Sequence, residues 1–192
     1  MSNLDLVILG LLRESPRHGY EIYSITSRNG MDRWLKVKKP SVYKALNRLE
    51  DQGYIIGEYE KLENHPPRKI YKINASGDNY FMELLHNILY QHFPCDKADF
   101  WNALRFVKGN LTKKQFIAVI QNRRMEMLNW EKTIREKMIN ARKQGEFVNQ
   151  PFIGDIMREQ FKAFYRIEQE TLDKLEAAAN LAENQKDFAE EE

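Results

Sequence analysis

The order of hydrophobic and polar positions predicts three short helices at the start of the chain. Residues 4–13 are almost continuously apolar, which predicts a helix buried on most sides, and Pro16 ends it. Residues 18–28 and 41–52 place apolar side chains three and four positions apart, as one face of a helix requires. The opposite side of the last segment is unusually polar, and the function of that side is the central question of this sequence.

Two strands are predicted after the third helix. Segments 54–59 and 69–74 are short and rich in Ile and Tyr, which is typical of strands. Residues 60–68 between them contain two prolines and no apolar residue except Leu62. Such a segment predicts a hairpin with an irregular, exposed tip.

After residue 75 the pattern changes to long helical periods. Four further helices are predicted, over residues 76–90, 97–108, 112–144 and 152–181. Ser76 is the predicted N-cap of the first of these helices. Thr112 and Gln115 fit the capping-box pattern at the start of the third.

These elements define a fold class that is mainly α with a small β-hairpin, in which an N-terminal winged helix-turn-helix precedes a long-helix dimerisation domain. The predicted domains are residues 1–80 and 81–192, and the acidic tail is expected to be disordered from about residue 183. The long C-terminal helices have an apolar stripe and charged residues elsewhere, a pattern typical of helices that pair with a second copy.

The composition indicates a soluble, cytoplasmic protein. There are 30 basic and 28 acidic residues, so an anionic partner must be bound by a local patch and not by overall charge. A single cysteine, Cys95, suits a reducing compartment. No apolar run approaches the roughly 18 residues of a membrane span, and Asp5 inside the first apolar run argues against a signal peptide.

The predicted third helix has one apolar and one polar side, because successive residues lie 100° apart around a helix. The apolar stripe consists of Val42, Ala45, Leu46 and Leu49. The opposite side carries Tyr43, Lys44, Asn47 and Arg48. Two residues could be the N-cap: Lys39, with Pro40 as the first helical residue, or Ser41. We favour Ser41, because its side-chain hydroxyl can accept a backbone N–H. Gly53 is the predicted stop.

A local excess of basic residues surrounds this helix. Between Arg33 and Arg48 the chain has six basic residues and no acidic one. Lysine and arginine side chains suit phosphates, and a forked guanidinium can also bind guanine. The plain alternative is a solvated helix face beside a basic turn, and the charge pattern alone does not exclude it.

Three helices followed by two strands is the element order of a winged helix-turn-helix, whose third helix enters the major groove of DNA. We therefore predict a DNA-binding surface on the third helix and the hairpin. The candidate residues on the helix and at its start are Lys38, Lys39, Ser41, Tyr43, Lys44, Asn47 and Arg48. The candidate residues on the hairpin are His65, Arg68 and Lys69.

Patterns for catalysis, cofactors and metals are missing from the sequence. It has no GxSxG elbow, no phosphate-binding glycine loop and no HExxH pair. The spacing of His86, His92 and Cys95 fits no common zinc site. We therefore predict no enzymatic activity, no cofactor and no metal site.

The N-terminal part resembles the PadR family of bacterial transcriptional regulators. The residues that carry the resemblance are LVILGLL at 6–12, HGYEI at 18–22, SVYKALNRLEDQGYI at 41–55 and RKIYKINASG at 68–77. The remainder resembles the C-terminal region of the larger subfamily with AphA-like activators, through helix order and DFWNALRFV at 99–107. The resemblance implies a homodimer that binds a two-fold operator, usually as a repressor. One departure is the prolines of the hairpin tip, where a glycine-rich turn is expected.

Two other functions are compatible with the residues. Some members of the family with short C-terminal regions hold flat aromatic ligands between tryptophans, so Trp101 and Trp130 are candidate contacts for a small-molecule effector; packing is the alternative for both. In the second alternative function, the winged domain binds an acidic protein. A DNA-binding repressor that acts as a homodimer is the function we expect.

Overall fold

The computed structural model describes residues 3–28, 38–60, 68–90, 97–143 and 151–190. The helices in these ranges are α1 (Asn3–Glu14), α2 (Gly19–Arg28), α3 (Lys39–Asp51), α4 (Ala75–Leu89), α5 (Lys97–Leu104), α6 (Lys113–Lys143) and α7 (Pro151–Asn180). The strands are β1 (Arg17–His18), β2 (Ile55–Glu60) and β3 (Arg68–Ile73), and a 3₁₀ helix spans Ala182–Asp187. The predicted fold class, mainly helical with a small hairpin, is confirmed.

The described strands form one antiparallel sheet in the order β1-β3-β2. β2 pairs with β3 over its whole length, from Ile55 opposite Ile73 to Glu60 opposite Arg68, and this is the predicted hairpin. The sequence did not predict β1, because two residues are too few to show an alternating pattern. The predicted hairpin tip, residues 61–67, lies outside the described residues.

The described residues divide into two compact units. Among the described residues, the N-terminal unit consists of two segments, the chain up to Leu89 and residues 97–106. The C-terminal unit consists of Tyr90 and residues 107–190. The predicted boundary after residue 80 lies inside α4. The division falls later because the apolar residues in the second half of α4 are buried and this helix packs against α1.

Helix α1 is the centre of the N-terminal unit, as its apolar sequence predicted. The fully buried residues of its middle are Leu6, Val7, Ile8 and Leu9. α5 ends at Leu104, before the predicted end at residue 108, and Phe106 beyond it packs on α1. A methyl group on Gly10 would lie 2.2 Å from Cε1 of Phe106, so α1 can accept this ring only where it has no side chain.

The start of α3 differs from the prediction. Its N-cap is Lys38, and Pro40 lies at the start of the helix. The assignment of Ser41 as N-cap is therefore wrong, and the N–H of Ser41 donates to the Lys38 carbonyl oxygen over 2.9 Å. Proline has no N–H, and its fixed φ suits the first turn of a helix, which allows α3 to begin before Ser41.

The end of α3 follows the prediction at Gly53, whose φ is 75°. The N–H of Gly53 donates to the carbonyl oxygen of Glu50, and the N–H of Tyr54 donates to that of Leu49, both over 2.9 Å. These two bonds form a Schellman motif, in which glycine takes the left-handed conformation without a steric penalty. The motif ends α3 and turns the chain into β2.

Two other helix starts were predicted, one rightly and one wrongly. The capping box of α6 is confirmed: the N–H of Thr112 donates to Oε1 of Gln115 over 2.8 Å, and the N–H of Gln115 donates to Oγ1 of Thr112 over 3.2 Å. Asn74, not Ser76, caps α4, because its Oδ1 accepts the N–H of Gly77 over 2.9 Å. Ser76 lies within the first turn and is exposed.

The long helices α6 and α7 pack together in the C-terminal unit. Arg123 of α6 is buried, and its guanidinium donates to Oε1 of Glu168 on α7 over 3.2 Å. The neighbouring Arg124 makes two further ion pairs with α7, each of 2.6 Å. A charged pair inside this interface aligns the two helices, since either charge left alone there would be costly.

Residues 183–190 belong to the tail that we expected to be disordered, and in the structure they contact the start of α6. The 3₁₀ helix Ala182–Asp187 is followed by Phe188, whose ring centroid lies 5.6 Å from that of Phe116. The N–H of Ala189 donates to the Leu111 carbonyl oxygen over 2.8 Å. The charge of the tail suggested disorder, but one aromatic side chain and backbone hydrogen bonds hold it against the start of α6.

Candidate nucleic-acid interface

The apolar side of α3 is buried as predicted, and this fixes the direction of its polar side. The buried residues of the helix are Val42, Ala45, Leu46 and Leu49. The exposed residues at the helix start and on the opposite side are Lys38, Lys39, Lys44, Asn47 and Arg48. Within the described part of the chain, the side chains of Lys44 and Asn47 make no ion pair or hydrogen bond. Both therefore present their polar groups to solvent.

Two of the predicted contacts, Ser41 and Tyr43, are half-buried. A methyl group on Gly19 would lie 2.9 Å from Cε1 of Tyr43, so the tyrosine ring packs directly over the start of α2. Tyr43 thus helps to set the angle between α2 and α3, and only part of its side chain is accessible. The absence of a side chain at Gly19 is what makes room for the ring.

The structure adds Tyr20 to this surface. Tyr20 was not among the predicted contacts, yet its side chain is well exposed. The ammonium group of Lys39 lies 5.4 Å from the centroid of its ring, within the range of a cation–π contact. Sequence spacing could not indicate this pair, because the residues belong to different helices.

Among the described residues, Arg48 is the one predicted contact on α3 that has a carboxylate partner. Its Nη2 donates to Oδ1 of Asp5, which lies on α1, 43 residues away in the sequence. The Asp5 residue is 4% exposed, whereas the side chain of Arg48 is 48% exposed. Burial raises the pKa of the Asp5 carboxyl group, and the Arg48 guanidinium opposes this by lowering it. Arg48 therefore belongs both to the exposed surface and to the packing of α3 on α1.

The hairpin offers fewer available cations than the sequence suggested. The ammonium group of Lys69 lies 2.6 Å from Oε2 of Glu50 on α3, and this hydrogen bond raises the pKa of Lys69. The same ammonium group lies near the rings of Tyr59 and Tyr71. Lys69 is thus held within the protein. Arg68 is exposed, and His65 lies outside the described residues.

The two tryptophans proposed as effector contacts belong to different units. Trp101 on α5 is 36% exposed and lies edge-on to Phe100, with centroids 5.8 Å apart. Trp130 on α6 stacks on Phe161 of α7 with centroids 4.4 Å apart, so this ring takes part in packing the long helices. A cleft of about 680 Å³ near Thr112 in the C-terminal unit is lined by neither tryptophan.

Neither a metal-binding cluster nor a membrane-spanning helix is found among the residues that the structure describes. No group of three or more His, Cys, Asp or Glu side chains is placed to hold a metal ion there. In the same residues, no helix combines the length and the apolar content needed to cross a membrane.

Known proteins share the segment that builds this surface. The profile of the transcriptional regulator PadR-like family matches residues 8–83. An uncharacterized protein from Lysinibacillus sphaericus is 34% identical over 83 residues, which are 43% of this chain and 75% of that protein.

Solved structures are also similar to the chain. A transcriptional regulator from Clostridium thermocellum is 35% identical, over 42% of this chain and 74% of its own, with a TM-score of 0.36. Bacillus subtilis PadR, solved in complex with operator DNA, is 20% identical, over 92% of this chain and 99% of its own, with a TM-score of 0.41.

The matched residues 8–83 include most of α1, all of α2 and α3, the three strands and the first half of α4. The same segment supplies every described residue of the candidate interface except Asp5. The chain belongs to the transcriptional regulator PadR-like family.

Proposed function

We propose that the protein is a transcriptional repressor that binds an inverted-repeat DNA operator as a homodimer, with α3 in the major groove. The observation that carries this proposal is the arrangement of α3. Its apolar side is fully buried, and its opposite side presents exposed cationic and amide side chains. The major groove admits a helix and displays a distinct donor and acceptor pattern for each base pair, so such a side can read sequence.

The side chains on α3 suit different roles. An asparagine such as Asn47 can make two hydrogen bonds to adenine, and Lys44 and Arg48 can donate to guanine or to phosphates. Lys38 and Lys39 at the helix start suit the phosphate backbone, which positions the protein without reading sequence. Each good two-bond pair with a base would contribute roughly 1–3 kcal/mol of discrimination.

The wing has a smaller part in this proposal. Arg68 is exposed on β3 and is the described hairpin cation best placed to reach a neighbouring phosphate. The ammonium group of Lys69 is hydrogen-bonded to Glu50 and is not assigned a DNA contact. His65 at the predicted tip remains a proposed contact from the sequence.

Exposed apolar side chains on the long helices support the homodimer. Those on α6 are Met125, Leu128 and Ile139, and those on α7 are Ile156 and Ile167. The three on α6 lie within about 60° of one another around the helix axis, so they form one stripe. A stripe of this kind is stabilised by burial against a second copy. Two winged units would then read half-sites on the order of 34 Å apart.

The test of DNA recognition begins with selection of bound duplexes from a random library by the wild-type chain. We expect an inverted repeat to be enriched. Binding to the selected duplex should weaken with salt, with a slope of about −0.9 for each phosphate neutralised. No enrichment and a flat salt response would contradict the proposal and favour an acidic protein as the partner of the α3 surface.

The homodimer is tested by sedimentation of a Leu128→Glu variant. A carboxylate within the apolar stripe should shift the protein toward monomer and lower its affinity for the full inverted repeat. The control is Lys137→Glu, which lies on the opposite side of the same helix, about 180° away, and should remain dimeric. A monomeric wild-type protein, or a Leu128→Glu variant that sediments as the wild type does, would contradict this assignment.

Repression is tested separately, with a reporter gene placed behind the selected operator. Expression should fall when the protein is present and return when α3 carries Lys44→Ala. Increased expression in the presence of the wild-type protein would instead identify an activator.

A further inference from the structure

Asp5 is an unusual partner for an arginine on a DNA-facing helix. It is one of the few charged residues buried in the N-terminal unit, and its neighbours on α1, Leu6 to Leu9, are fully buried. Helix α1 packs against α3, α4 and β3, so the Asp5 carboxylate is fixed to the best-packed element of the unit. The guanidinium of Arg48 is held at one end by this fixed carboxylate.

The interior of the N-terminal unit is a costly place for the charge of Asp5. Burial raises the pKa of the Asp5 carboxyl group even though Arg48 lowers it, so the penalty for burying the charge outweighs the attraction of the arginine. Buried or half-buried ion pairs are often replaceable by apolar residues with no loss of stability. A carboxylate that adds little to the folding free energy can nevertheless restrict the orientation of its partner.

The geometry leaves Arg48 able to bind a second partner. A guanidinium has five N–H donors in a planar fork, and its hydrogen bond to Asp5 uses one nitrogen, Nη2. Nearly half of the side chain is exposed, on the same side of α3 as Lys44 and Asn47. The arginine is therefore anchored at one end and accessible at the other.

We propose that Asp5 is a positioning residue for operator recognition, which orients the Arg48 guanidinium toward base edges and away from non-specific phosphate binding. This inference rests on the proposed function of α3. A free arginine side chain has many rotamers and can reach any nearby phosphate, whereas an arginine fixed to α1 presents its remaining donors in one direction. The negative charge of Asp5 also opposes the approach of a phosphate to the same nitrogen.

The consequence is a separation of specificity from affinity. Removing the Asp5 charge should lower operator affinity about tenfold, because the Arg48 side chain must then lose its conformational freedom on binding. Affinity for unrelated duplex DNA should stay the same or rise, because Arg48 becomes free to bind phosphates. The ratio of operator to non-specific affinity should therefore fall by about tenfold or more.

The experiment compares wild type, Asp5→Asn, Arg48→Ala and the double variant on the selected operator and on a scrambled duplex at fixed salt. Asp5→Asn should lower the specificity ratio and leave the melting temperature near that of wild type. In the Arg48→Ala background, Asp5→Asn should have no further effect on the ratio, since Asp5 acts through Arg48. Arg48→Lys, which keeps the charge but loses the planar fork, should lower the ratio as Asp5→Asn does.

A matched control separates positioning from general damage to α1. Asp78 on α4 makes a cross-helix ion pair of 2.6 Å with Arg13 of α1. Asp78→Asn should leave the specificity ratio unchanged. Two results would overturn the role of Asp5 and leave the proposed function standing. One is a folded Asp5→Asn protein with the wild-type specificity ratio. The other is an Asp5→Asn substitution that lowers the ratio as much in the Arg48→Ala background as in the wild type. Failure of the wild-type protein to select any operator would instead overturn the proposed function.

Discussion

Helix α3 and strand β3 both carry basic residues, but the structure treats them differently. Lys44 on α3 is exposed, and within the described ranges it has no acidic partner. Lys69 on β3 is bound to Glu50, and Lys72 lies 2.8 Å from Oε2 of Glu58. Lys69 and Lys72 therefore help to hold β2, β3 and α3 together, whereas Lys44 on α3 stays available to an external anion. Residue type alone does not make a DNA contact.

The difference between the two elements predicts that their lysines are unequal in DNA binding. Replacing Lys44 and Asn47 together by alanine should lower operator affinity by about a hundredfold, because two base-reading side chains are lost. Fluorescence anisotropy with the selected operator measures the change. Lys72→Ala on β3 is the matched control and should change affinity by less than about twofold. Equal losses from the two proteins would remove the distinction between α3 and the hairpin.

A second prediction concerns Lys69 and its neighbour. Lys69→Met should lower the free energy of unfolding by about 1 kcal/mol, because Glu50 loses its hydrogen-bonded cation. Operator affinity should stay within about twofold of wild type. Arg68→Ala should show the reverse, a several-fold weaker affinity with unchanged stability. Urea unfolding and anisotropy on both proteins make the comparison. A large loss of affinity in Lys69→Met would show that this cation reaches DNA.

Gly57 offers a way to open the Lys69–Glu50 pair without removing either charge. A methyl group at this position would lie 2.2 Å from Cε of Lys69 and 2.6 Å from Oε1 of Glu50. Gly57→Ala should therefore move the two groups apart and lower the pKa of Lys69 toward its ordinary value, as followed by heteronuclear NMR of the ammonium group. The change in unfolding free energy should be below about 1 kcal/mol, since flexible side-chain ends can move.

Glu50→Gln is the matched control for Gly57→Ala. It removes the carboxylate and should shift the pKa of Lys69 in the same direction. A Lys69 pKa that stays raised in both variants would mean that Glu50 is not its cause.

The smallest expected effect is the pH dependence contributed by Asp5. Because burial raises the pKa of its carboxyl group, the folded protein binds this proton more tightly than the unfolded chain. The extra stability from this proton is fully present at pH values below the pKa of Asp5 in the unfolded chain. It is lost as the pH rises through the pKa of Asp5 in the folded protein. Asp5→Asn removes this contribution, so the stability of the variant relative to wild type should increase as the pH rises above about 4. Urea unfolding across this range is the measurement, and a relative decrease would contradict the direction of the shift.

Local patterns accounted for much of the fold. The two sides of α3, its stop at Gly53 and the capping box of Thr112 and Gln115 were all predicted, because each depends on residues within a few positions of one another. The N-caps were less predictable. Ser41 and Asn74 are both residue types that can cap, and the choice depends on where the backbone turns.

The partners of the candidate interface residues could not be predicted in the same way. Nothing in the sequence links Asp5 to Arg48, Glu50 to Lys69, or Gly19 to Tyr43. Each pair joins different elements of the N-terminal unit, and each contact arises only when helices and strands pack. The sequence therefore predicted a surface, and the structure adds the carboxylate partners that Arg48 and Lys69 have within the protein.

The sequence by itself determined that α3 has a cationic polar side opposite an apolar one, because helical periodicity depends only on residue order. Tertiary structure decided which cations on α3 and on the neighbouring strand β3 are available. Lys44 was left exposed, Arg48 was anchored to α1 and Lys69 was bound to Glu50. The physical reason is the short range of ion pairing and hydrogen bonding: a carboxylate changes the role of a cation only when folding brings the two within a few ångströms.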